Sequence, residues 1–199
     1  MRRNRQAELI RQMSDREVTL QLVITQLILL VTALVVSLFV FDAFWADWLT
    51  FFPITIEKWL WYGVFPGVLI LLIDLMLMYS LPKKYYDDGG INEKVFENRS
   101  VLSILFLTLL IAFSEEMLFR GVLHTSLGYI PASILFAVIH FRYLTKPVLI
   151  ISVLFVSFLI GYMFEVTGNL TVTITAHFIV DFVLGLWIRF GKWGGNDGK

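Results

Sequence analysis

Seven ionisable side chains stand within long apolar runs of this 199-residue chain: Asp74, Glu115, Glu116, Arg120, His140, His177 and Asp181. Each costs about 2.5–3.5 kcal/mol to hold at the centre of a bilayer, so a chain that only crossed a membrane would do without them. Their spacing narrows what they can do. In Ser114-Glu115-Glu116-Met117-Leu118-Phe119-Arg120-Gly121, Glu116 and Arg120 share one helix face with the acid N-terminal to the base, the favourable order. That pair neutralises itself and leaves Glu115, rotated about 100° away, without a local partner. An unpaired carboxyl at low dielectric suits a general base. Phe136 and His140 repeat the four-residue spacing in Phe-Ala-Val-Ile-His, and His177 and Asp181 do so in His-Phe-Ile-Val-Asp. In the last pair a carboxylate can accept from an imidazole and fix its tautomer. Taken singly, each pattern also fits a structural hydrogen bond or a satisfied core histidine.

Two chemistries use such a set. A Glu and a His converging on one water make a general-base pair for attack on a carbonyl, and a second His with a neighbouring side chain could hold the developing oxyanion. Alternatively, Glu115, His140, His177 and Asp181 could bind a divalent metal such as zinc with a position open for water. The sequence leaves both open. Other protease designs are disfavoured, because there is no H-E-x-x-H, no G-x-S-x-G and no cysteine at all. The lack of cysteine also removes disulfides and thiolate-bound zinc.

The elements that must carry these residues are membrane spans. The chain is 58% apolar with a mean hydropathy of +0.77, against about 45–50% apolar in soluble domains. The fold expected is all-α, a polytopic bundle of about six transmembrane helices. A polar segment, residues 1–17, precedes spans at 18–41, 59–80, 100–127, 131–143, 147–164 and 170–190, the fourth of them short, and a Gly-rich polar tail occupies 191–199. Residues 18–190 thus read as one transmembrane domain with the reactive core at about 100–185. Counted from the outer helix ends, Glu115 is roughly 14 residues deep, His140 about 10 and His177 about 7, at 1.5 Å per residue. All three are therefore expected at middle-to-outer depth. With the N-terminus inside, fourteen of the sixteen Lys and Arg fall on inner segments. That bias predicts both termini in the cytoplasm. Trp45, Trp48, Trp59 and Trp61 would then mark the outer interface, and Trp187 and Trp193 the inner one. Zero formal net charge offers no footprint for nucleic acid, and none is expected as a partner.

Taken in order, Glu115-Glu116-x-x-x-Arg120, Phe136-x-x-x-His140 and His177-x-x-x-Asp181 after Thr167-Gly168-Asn169-Leu170 resemble the CPBP family. These are the CAAX-processing and bacteriocin-processing (Abi) intramembrane endopeptidases. The resemblance implies that Glu115 is the base, that His140 helps activate the water, and that His177 with Asp181 stabilises the oxyanion. Glu116 and Arg120 would support the site. It further implies a membrane-associated or lipid-tethered peptide or protein as substrate, membrane lipid as surroundings, and a multi-pass protein of a bacterial cell membrane. Many family members have Asn where this chain has Asp181; a carboxylate is the poorer oxyanion donor and the better orienter or metal ligand. Two other readings compete with the endopeptidase. One is a non-proteolytic scaffold or bacteriocin-immunity protein on the same fold. The other is a small proton-coupled transporter, which would also use buried acids and histidines but should show paired broken helices. Outside the motifs, Asp74 is expected in a structural role, the alternatives being that it gates substrate, pairs with Arg120 or stays protonated. Glu165 and Asn169 are expected to close the turn between the last two spans, and His124 to sit at the interface. Arg142 and Lys146 read as topology determinants.

Overall fold

The computed structural model describes residues 5–143 and 146–191. Among the described residues nine helices, some with π-helical stretches, follow in order. α1 (Arg5–Gln12) is short and amphipathic in pattern. α2 (Asp15–Val40) opens on Ser14, whose hydroxyl accepts from the Glu17 N–H while the Glu17 carboxylate accepts from the Ser14 N–H, a reciprocal cap that fixes the helix start. After α3 (Phe44–Thr50) comes α4 (Ile56–Ser80), with a π-helical stretch at Trp59–Val64. α5 (Ile91–Phe96) lies within the polar connection. α6 (Val101–Leu127) is capped by Ser100 and widens into π geometry over Met117–His124. α7 (Tyr129–Ile139), α8 (Pro147–Thr167) and α9 (Leu170–Phe190) complete the bundle.

Among the described residues five helices are long and apolar enough to cross a membrane: α2, α4, α6, α8 and α9. The expected spans differ from them by a few residues at the ends. The fourth expected span, already short in the sequence, is the one below that length. The chain is helical over 11 residues in α7, about 16 Å of rise, roughly half of a 30 Å hydrocarbon core. It ends at His140 (φ −81°, ψ 40°) and continues as a 3₁₀ turn, Phe141–Tyr143. The expected tail beyond Gly191, with Trp193, lies outside the described residues.

α6 and α9 form the centre. α9 packs against α6 on one flank and α4 on another, α2 covers α6, and α7 bridges α6 and α8. The α8–α9 hairpin turns on Gly168 (φ +60°) and on Asn169, whose side chain accepts from the Thr171 N–H and donates to the Pro53 carbonyl. Asn169 therefore closes that turn as expected. Trp48 is turned into the protein: it is buried, donates to Ser37 Oγ at 3.1 Å and lies against Gly121. At the opposite end, Arg11 donates to the Gly89 carbonyl, Lys94 pairs with Asp15 at 2.7 Å and Arg99 donates to the Asp15 carbonyl. These contacts lock the 82–99 connection to the start of α2.

Candidate active site

Five of the seven residues singled out by sequence meet around a cavity of about 630 Å³ lined by α2, α4, the 82–99 connection, α6, the end of α7, α8 and α9. Asp74, Glu115, His140, His177 and Asp181 all contribute to its wall, and so do Phe136 and Gln26. The rest of the lining, from Ile10 and Met13 to Tyr86, Phe96 and Ile188, belongs to the end of the bundle that carries the 82–99 connection. The cavity therefore extends from these side chains towards that end of the bundle.

His140 owes its tautomer to the early end of α7. The last carbonyls of a helix lack intrahelical donors, and the Phe136 carbonyl takes His140 Nδ1 at 2.8 Å. A carbonyl can only accept, so Nδ1 carries the proton and a neutral ring has its lone pair on Nε2. That nitrogen is 4.0 Å from Glu115 Oε2. Glu115 is not partnerless, as its sequence neighbours suggested. Gln26 on α2 donates to its Oε1 at 3.1 Å, and Ser114 donates to Gln26 Oε1 at 2.5 Å. Its Oε2 is buried and makes no hydrogen bond.

Glu116 is fully buried and faces away from this pair. Its Oε1 meets His177 Nδ1 at 3.0 Å, and its Oε2 lies 3.5 Å from Arg120 Nε, an ion-pair distance longer than a usual hydrogen bond. The simple self-neutralising Glu116–Arg120 pair thus becomes a three-membered set with His177. Arg120, also fully buried, donates to the Ser157 carbonyl at 3.1 Å and lies over the Phe136 ring, 4.6 Å from its centroid. Phe136 touches both histidines as well, with centroids 4.9 Å from His140 and 5.8 Å from His177. His177 Nε2 points to Asp181 Oδ2 at 3.5 Å, so its two nitrogens face two carboxylates.

That arrangement bears on the expected metal. Both His177 nitrogens are directed at carboxylates, and His140 offers only Nε2. Among the described residues no group of three His, Asp or Glu is placed to hold a metal ion. Glu115, His140, His177 and Asp181 do not fit as one ligand set.

Asp74 lines the cavity but does not pair with Arg120; it accepts from Ser152 Oγ at 2.7 Å. His124 is buried and bonds Glu165 Oε2 at 2.7 Å, away from the cavity. Arg142 donates to Asn92 Oδ1 at 3.1 Å and to the Tyr143 hydroxyl, tying the turn after His140 to α5. Sequence reasoning missed Gln26, Ser114, Ser152 and Ser157. Gln26 carried a signal, since an amide in the middle of an apolar span is costly unless bonded.

Residues 97–183 match the family described as type II CAAX prenyl endopeptidase Rce1-like. Over 166 residues the chain is 51% identical to a Bacillus subtilis (strain 168) protein described as "Uncharacterized protein YpbD", covering 83% of this chain and 87% of that one. No solved structure matches. All three paired motifs lie inside the matched stretch. The chain belongs to the CPBP family of CAAX-processing and bacteriocin-processing intramembrane endopeptidases.

Proposed function

We propose that this integral membrane protein hydrolyses a peptide bond of a membrane-associated or lipid-tethered protein or peptide, using a water held between Glu115 and His140. One observation carries the reading. Glu115 Oε2 is buried without a hydrogen bond, 4.0 Å from His140 Nε2, which the Phe136 carbonyl leaves as an acceptor. Two acceptors at that separation accommodate one water donating to each at about 2.8 Å, with an angle of about 90° at its oxygen. The water then directs a lone pair at a substrate carbonyl in the cavity. As the carbon–oxygen bond forms, Glu115 takes a proton from the water and later gives it to the leaving amine, while His140 keeps the second hydrogen bond.

His177 serves the oxyanion. Glu116 anchors Nδ1 at 3.0 Å, whereas Asp181 holds Nε2 loosely at 3.5 Å. Nε2–H can leave Asp181 for a charge developing on the carbonyl oxygen, at little cost in reorganisation. Asp181 is an orienter in this scheme and donates nothing. No step is assigned to a metal, because the side chains form no ligand set.

The test is to compare new chain termini in membranes of cells carrying the wild type, Glu115→Gln or no copy. Termini beside apolar or lipidated segments should appear only with the wild type. Identical termini with the wild type and Glu115→Gln would sink the assignment and leave a non-proteolytic scaffold or immunity protein. Addition of a chelator to the purified protein should leave turnover within about twofold.

A further inference from the structure

We infer that Gln26, on the first long helix and outside the stretch that carries the family motifs, is a positioning residue that makes Glu115 a one-sided base. The inference rests on the reading of Glu115 given above. Gln26 is 4% exposed, in a helix that otherwise presents mostly apolar side chains to its surroundings. Its amide spans two successive residues of α6: Nε2 donates to Glu115 Oε1 at 3.1 Å, and Oε1 accepts from Ser114 Oγ. The reverse orientation would set an amide carbonyl against a carboxylate oxygen, acceptor against acceptor, so chemistry fixes which end faces Glu115.

The consequence lies in the asymmetry of the carboxylate. Oε1 is bound, and Oε2 is the oxygen left without a hydrogen bond and turned towards His140. A carboxylate free to rotate would present either oxygen and would not hold a water at fixed distance from His140 Nε2. With one oxygen clamped, rotation about the terminal bond, which is otherwise broad for Glu, is removed. Preorganisation of this kind acts on the chemical step more than on substrate binding. The clamp comes from α2, which the Lys94–Asp15 pair and the Arg99 bond to the Asp15 carbonyl hold against the 82–99 connection. The base is thus complete only when α2 is docked on α6.

Gln26→Met keeps the length and bulk of the side chain and removes the donor. On a fluorogenic peptide spanning a bond whose cleavage Glu115→Gln abolishes, it should lower kcat about ten- to hundredfold, the range of a hydrogen bond to a charged group, with KM within about twofold. The Glu115 carboxylate band, isolated as the infrared difference between the wild type and Glu115→Gln, should move in the Gln26→Met background. An unmoved band, or a wild-type kcat in a Gln26→Met protein whose Glu115→Gln counterpart is inactive, would overturn the positioning role alone. A fully active Glu115→Gln overturns the role together with the reading of the site. If no cleavable bond is found, the infrared band decides by itself, since it needs only folded protein.

Discussion

Two adjacent glutamates here have opposite surroundings. Glu115 borders the cavity with one oxygen unbonded, whereas Glu116 is enclosed behind it between His177 and Arg120. Their neutral variants should therefore separate activity from stability. Glu115→Gln should remove turnover while the thermal unfolding midpoint in detergent stays within a few degrees of wild type, because only one of its oxygens is bonded. Glu116→Gln should strip the counter-charge from a fully buried Arg120. Breaking one side of a buried pair costs about 3–5 kcal/mol, enough to lower the midpoint clearly and reduce the yield of folded protein. Equal stability of the two variants would show that Glu116 is not the charge holding the interior together. The distinction was only half legible in the sequence. The cost of ionisable groups in lipid pointed to all seven, and four-residue spacing found the His177–Asp181 pair. Neither could see that Glu116 reaches His177 across 61 positions or that Gln26 reaches Glu115 across 89. Helical periodicity specifies neighbours on one helix, and these bonds join different ones.

At the scale of the elements, the short α7 and the close α4–α9 contact do the positioning. α7 stops where its exposed carbonyls are needed; the short span expected at 131–143 ends as helix at Ile139, because apolar composition does not register a helix end inside the bundle. α4 approaches α9 through Gly63 and Gly67, where a Cβ would meet the Val172 carbonyl at 3.1 Å and the Ala176 Cα at 3.0 Å. Backbone cannot yield as a flexible side chain can, so Gly67→Val should force the helices apart and shift His177, the next residue of α9. Lower stability by thermal unfolding, with a larger loss than for Gly67→Ala, is the expected result. The connection between α4 and α6 offers a separate test through pH. Asp88 is buried and accepts from the Ile91 and Asn92 N–H groups at the start of α5. Burial raises its carboxyl above the usual value, more than the nearby Arg142 lowers it. The neutral form is thus favoured in the fold. Its contribution is complete below the ordinary carboxyl range and is lost as the pH rises through the raised value. Asp88→Asn still caps a helix start and does not titrate. The midpoint of the variant relative to wild type should rise between pH 4 and pH 7; a constant difference would mean that Asp88 is ionised throughout.

The whole molecule is asymmetric in charge and in shape, and the two asymmetries coincide. Arg11, Arg16, Lys83, Lys84, Lys94, Arg99, Arg142 and Lys146 belong to the segments around the end on which the cavity opens, and the opposite end carries Lys58 in the first turn of α4. Positive segments are retained in the cytoplasm, so the cavity should face the cytoplasm. A substrate bond would then reach Glu115 from the inner leaflet. The layout of spans and basic residues was readable from composition alone, because length and charge are properties of the chain. The direction of the cavity was not, since it depends on how α2, α8 and α9 diverge. The chain has no cysteine, so single-cysteine variants report orientation without background. Ile54 is 94% exposed on the α3–α4 connection, and Glu97 is exposed between α5 and α6. A membrane-impermeant maleimide should label Ile54→Cys in intact cells and Glu97→Cys only after permeabilisation. The opposite pattern would turn the bundle over, placing the cavity and its Glu115–His140 pair on the outer side and making secreted or surface-tethered peptides the substrates to seek.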